Sequence, residues 1–90
     1  MTTTLELTQL APHLHKITTR KDGRLALAVW FSYETPIALM TGTMGRPIVR
    51  CNEWGPTTGR HLNVIDSGNK VDRLDSAAFD VAMSVAMASL

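Results

Sequence analysis

Residues 24–33, Arg24-Leu25-Ala26-Leu27-Ala28-Val29-Trp30-Phe31-Ser32-Tyr33, decide the fold. Read with a period of two, Leu25, Leu27, Val29, Phe31 and Tyr33 share one face, and Ala26, Ala28, Trp30 and Ser32 share the other. Both faces are largely apolar, which predicts a central strand covered on both sides. Upstream, Lys21-Asp22-Gly23 supplies the positive-φ residues of a tight hairpin. Residues 13–19 before that turn read as a strand. Downstream, Glu34-Thr35-Pro36 is a second break, and residues 36–41 form the next strand. The two glycines of 41–45 make a hairpin loop, and 46–51 read as a further strand with Pro47 near its start. Residues 1–6 are small and polar and read as a flexible lead-in. Leu7 and Leu10 lie at helical spacing, so a helical turn before Pro12 is one reading of that segment and a strand the other.

After Trp54 the period changes. Gly55 can cap a helix and Pro56 fits its first position, because its φ is already set. Thr58, His61, Leu62 and Ile65 then fall on one face, and Gly68 suits a left-handed helix end. A second, longer helix starts at Asp75 or Ser76 and carries a stripe of Phe79, Met83, Ala86 or Met87, and Leu90, with Val81 and Val85 outside it. The expected fold is α+β: a small antiparallel sheet of three to four strands, a short helix, and a long C-terminal helix packed on one face.

Composition narrows the classes. Ninety residues are one domain, and 44% apolar with 19% charged residues is ordinary globular material. A net charge of +1 excludes a nucleic-acid clamp built on bulk charge. One cysteine excludes an internal disulfide framework and points to a reducing cytoplasm. The N-terminus has no basic stretch followed by an apolar run, so no secretory signal is expected. The longest uncharged run, 81–90, is too short to cross a bilayer.

Two stretches, Ser32-Tyr33-Glu34-Thr35-Pro36-Ile37-Ala38 and Asn52-Glu53-Trp54-Gly55-Pro56-Thr57-Thr58-Gly59-Arg60-His61-Leu62-Asn63, carry a resemblance. The chain resembles, over residues 24–66, a family of short uncharacterised proteins found mainly in phages and mobile elements. That family pairs an S-Y-x-T-x-I-A strand with a W-S-x-T-T-x-K/R-H-I/L-N helix start. Gly55 departs from the usual Ser, which keeps a cap but loses its side-chain hydrogen bond. The resemblance implies a compact α+β accessory protein and transfers no catalytic residues. By analogy it suggests a role in disabling host machinery, as anti-CRISPR proteins do.

Several groups of residues could carry chemistry. Thr57, Thr58, Arg60 and His61 crowd a helix start, where free N–H groups attract anions, or they serve only to cap and pack it. His13, His15, His61 and Cys51 lack a local pair with zinc-ligand spacing, so no metal site is expected. Cys51 with His61 could form a nucleophile and base, but no third residue orients them. Lys16, Arg20, Lys21 and Arg24 surround the first turn against Asp22 alone, a local charge of +3, and Arg46 and Arg50 can extend that patch. Trp54 and Arg60 add residue types common at interface hot spots. The expectation is a non-catalytic binding protein without cofactor, acting on a host protein complex through Lys16, Arg20, Lys21, Arg24, Arg46, Arg50, Trp54 and Arg60. Direct nucleic-acid binding by the basic hairpin is the alternative. The apolar C-terminal helix reads as core packing over the sheet, and a homodimer contact through its exposed remainder is the alternative.

Overall fold

The computed structural model describes residues 2–68, 70–88 and 90. Five strands, β1 (Thr3–Ala11), β2 (Leu14–Lys21), β3 (Arg24–Ser32), β4 (Thr35–Thr41) and β5 (Ile48–Val49), form one antiparallel sheet in chain order. Two helices follow, α1 (Pro56–Asp66) and α2 (Ser76–Ala88), with a single 3-10 turn at Lys70–Asp72 between them.

The sheet is larger than the three to four strands expected. The added strand is β1. Residues 3–6, read above as a flexible lead-in, begin it, and residues 7–11 continue it in place of a helical turn. The reason is a period-two pattern, Thr4-Leu5-Glu6-Leu7-Thr8, completed by a neighbour: each residue from Thr3 to Gln9 faces a partner between Lys21 and His15. At the other edge β5 is only two residues long. Past Val49 the Arg50 N–H still donates to the Ile37 carbonyl of β4 at 2.9 Å, and on its other side Arg50 makes a parallel bridge to Leu74.

The turns follow their residues. Asp22 and Gly23 both have positive φ (53° and 80°), the requirement of a two-residue hairpin between Lys21 and Arg24. Gly42 has a different reason. A Cβ there would lie 2.3 Å from the Leu25 carbonyl oxygen, so the loop after β4 crosses β3 where a side chain has no room.

β3 is covered on both sides, as its two apolar faces predict. Ala28 and Trp30 pack with Leu14, Ile37, Ala38, Val49 and Leu62 of α1. Leu27 and Val29 pack with Leu39 and with Phe79 and Ala86 of α2. A register shift between Thr19 and Arg20 turns Leu25 to the α1 side, against the strict alternation of the sequence. Asp75 caps α2, its carboxylate accepting from the Ala78 N–H at 2.8 Å. α2 covers β3 and β4 but stops short of β1, so Leu5 and Leu7 remain 73% and 69% exposed. Among the described residues no helix is long and apolar enough to cross a membrane.

Candidate functional site

Pro56 starts α1 directly after the extended Gly55, and this phase turns Thr58, His61 and Leu62 inward. They meet the end of β3. Ser32 is the one polar residue on an otherwise apolar strand face, and it is only 2% exposed. Its Oγ lies 2.7 Å from His61 Nδ1 and 3.1 Å from Thr58 Oγ1. His61 Nε2 lies 3.0 Å from the Pro12 carbonyl oxygen. A carbonyl can only accept, which assigns the ring proton to Nε2 and makes Nδ1 the acceptor of the Ser32 hydroxyl. Ser32 accepts in turn from Thr58. The result is a closed relay, Thr58 to Ser32 to His61 to Pro12, that ties α1 to β3 and to the β1–β2 turn.

That turn and the next lie side by side. His13 and Tyr33 both have positive φ (61° and 56°), and the Tyr33 N–H donates to the His13 carbonyl at 2.7 Å. Their rings stack at 4.5 Å, outside the relay.

A second polar cluster closes the far end of α1. Arg73 forks onto Asp66, with Nε to Oδ2 at 2.7 Å and Nη2 to Oδ1 at 3.0 Å, and also donates to Asn63 Oδ1 at 3.0 Å. Burial opposes the charge on Asp66. The Arg73 hydrogen bonds, the Gly68 N–H and the Arg73 charge outweigh it and hold the carboxyl below its ordinary value of 3.8. The Asp66 hydrogen bond likewise raises Arg73, against the opposing effect of burial.

The residues singled out in the sequence distribute as follows. Of the helix-start set, Thr58 and His61 point inward to Ser32, while Arg60 is exposed and reaches Thr57 Oγ1 at 3.4 Å. The four do not converge on one point. Both His61 nitrogens are engaged, so the ring does not serve Cys51, whose Sγ lies 3.5 Å from the Arg73 carbonyl. No group of three or more His, Cys, Asp or Glu is arranged for a metal among the described residues. Arg50 is largely buried: it lies over the Trp54 ring at 4.9 Å and donates to Ser76 Oγ. Arg46 pairs with Asp72 at 3.2 Å. Lys16 lies over Trp30 with its Nζ 4.8 Å from the ring, and Lys21 donates to the Leu90 carbonyl at 2.6 Å. Arg20 and Arg24 stand exposed at the β2–β3 tip. Trp54 is half exposed.

Sequence reasoning did not assign Ser32, Asp66 or Arg73. For Ser32 a signal existed, a hydroxyl inside an apolar strand. Asp66 and Arg73 are seven residues apart across the helix end, a spacing that no local rule pairs.

A family model described as a family of unknown function (DUF8033) matches residues 5–81, and the chain belongs to that family. The match includes most of β1 and the first turns of α2, beyond the stretch of 24–66 that carried the resemblance. No curated protein and no solved structure matches the chain.

Proposed function

We propose that this family member is a non-catalytic binding protein that docks its β2–β3 hairpin on an acidic face of a partner complex and occludes it. One observation carries the reading. Among the described residues Arg20 and Arg24 make no ion pair, whereas Arg46, Arg50 and Arg73 are committed to the chain's own carboxylates. Exposed guanidinium groups without an ion pair are the groups best able to form bidentate contacts with carboxylates or phosphates. Lys16 and Lys21 add charge along the same strand, and Trp54 and Arg60 offer a second contact region beside α1. The Ser32–His61 pair supports a binding role over a catalytic one, because Ser32 is sealed and both partners of the pair are tied into the fold. The finer reading rests on the resemblance: an accessory factor of a phage or mobile element, in the cytoplasm of a bacterial host, that inhibits a host defence complex as anti-CRISPR proteins do.

Affinity capture from nuclease-treated bacterial lysate tests this, comparing the native chain with Arg20→Glu/Arg24→Glu. A stoichiometric complex that the double variant loses is the expected result. Equal capture by both chains overturns the docking surface. Binding to DNA or RNA that falls with salt at a log–log slope of about −2 to −3, as two or three phosphate contacts require, would replace the reading with direct nucleic-acid binding by the same residues.

A further inference from the structure

The β1 edge of the sheet is built to pair with itself, and we infer that a second copy of this chain is its partner. The Asp22 N–H donates to the Thr2 carbonyl at 2.7 Å, which marks Thr2 and Asp22 as a hydrogen-bonded pair. Antiparallel ladders alternate, so Thr4, Glu6 and Thr8 turn their backbone groups toward β2. Thr3, Leu5, Leu7 and Gln9 then turn theirs outward, where among the described residues no strand meets them.

Natural edges of this length are ordinarily guarded by Lys, Pro or an inward charge. β1 has neither Lys nor Pro, and its one charge is Glu6. The only irregularity of its ladder lies at its end, between Gln9 and Ala11. Its outward-bonding residues include Leu5 and Leu7, whose side chains stand above Thr19 and Ile17 on the α2 side and are its most exposed leucines. The chain exposes 5581 Å² in all, against about 5,200 Å² for a compact monomer of 9.9 kDa.

Antiparallel self-pairing must place a two-fold axis on one residue, and the pattern limits the choice. An axis at Glu6 sets two like charges directly opposite each other, which is destabilising. An axis at Leu7 pairs Leu7 with Leu7, Leu5 with Gln9 and Glu6 with Thr8. An axis at Leu5 pairs Leu5 with Leu5, Thr3 with Leu7 and Glu6 with Thr4. Both leucine-centred registers join outward-bonding residues to outward-bonding residues and keep Glu6 opposite a threonine. Either makes one ten-stranded sheet with both α2 helices on the same side, joined by the leucines and by Ile17 of each β2.

Light scattering across 1–500 μM, with disulfide trapping in a Cys51→Ser background, tests the pairing. The native chain should double in mass, and Leu7→Lys should return it to the monomer with its circular dichroism spectrum unchanged. Residues on the axis sit about 5.5 Å apart at Cα, within disulfide reach. Oxidised Leu7→Cys or Leu5→Cys should therefore run as a covalent dimer on a denaturing gel, and Glu6→Cys should not. A chain that stays monomeric at 500 μM overturns the inference. So does a dimer that neither leucine-site cysteine traps, because it uses another surface, such as the exposed Val81 and Val85 side of α2.

Discussion

Ser32→Ala is the substitution that separates a buried structural relay from a reactive serine. Replacing the hydroxyl by hydrogen leaves the strand and its packing in place, since Ala fits the β3 backbone without strain. Two hydrogen bonds are lost, at 2.7 Å to His61 and 3.1 Å to Thr58. Neutral bonds of this kind contribute about 1 kcal/mol each, and a buried group left without a partner costs about 1–3 kcal/mol. Thr58 and His61 are both buried, so water does not replace the serine readily. The expected loss is about 2–3 kcal/mol, a large part of the roughly 5–13 kcal/mol available to a chain of this length. Urea unfolding at pH 7 reads it as a lower midpoint at constant slope, and thermal unfolding as a Tm lower by roughly 10–20 °C. Thr58→Val completes a double-mutant cycle. Once Ser32 is gone, the second change should cost at least about 1 kcal/mol less than it costs alone. A single-variant loss under about 0.5 kcal/mol, or a cycle with no coupling, refutes the relay.

Arg73→Ala leaves the Asp66 carboxylate buried without its fork and should cost about 3 kcal/mol at pH 7, measured by urea unfolding. The folded state lowers the Asp66 carboxyl below 3.8, so this pair stabilises the fold above the unfolded value. That stability disappears as pH falls through the folded value. The urea midpoint should therefore drop below about pH 4 in the native chain and drop less in Asp66→Asn; equal acid sensitivity would count against the pair. Gly42→Ala forces a methyl against the Leu25 carbonyl and should cost about 1–3 kcal/mol, whereas Gly45→Ala meets open space and should leave Tm unchanged. Equal Tm values for the two glycine variants would refute the close approach.

Much of the fold was legible from local pattern. The two apolar faces of residues 24–33 announced a strand covered twice, Asp22-Gly23 announced its hairpin, and Gly55-Pro56 announced the start of α1. These are short-range signals, because steric limits on φ and the two periodicities act within a few residues. β1 was harder. Its Leu7-x-x-Leu10 spacing fits a helical turn, its leucines stay exposed, and only the partner residues Lys21 to His15 make it a strand. The short β5 is likewise joined on its other side by Leu74, whose backbone bonds to Val49 and Cys51 across a long stretch of chain.

For the candidate site the division is sharper. The residue types were visible in the sequence: a crowded helix start, basic residues around a turn, and one hydroxyl in an apolar strand. Their grouping was not. Thr58 and His61 leave Arg60 and join Ser32 because a helix turns successive residues about 100° apart while the sheet fixes what lies beneath. Arg46 and Arg50 leave the basic set because the fold brings Asp72 and Asp80 to them, whereas Arg20 and Arg24 stay exposed and make no ion pair among the described residues. By itself the sequence determined the elements whose geometry is local, β2 to β4 and the two helices. Which polar groups are sealed and which remain available was decided by the tertiary structure alone, because hydrogen bonds and ion pairs between elements depend on long-range placement that no spacing along the chain encodes.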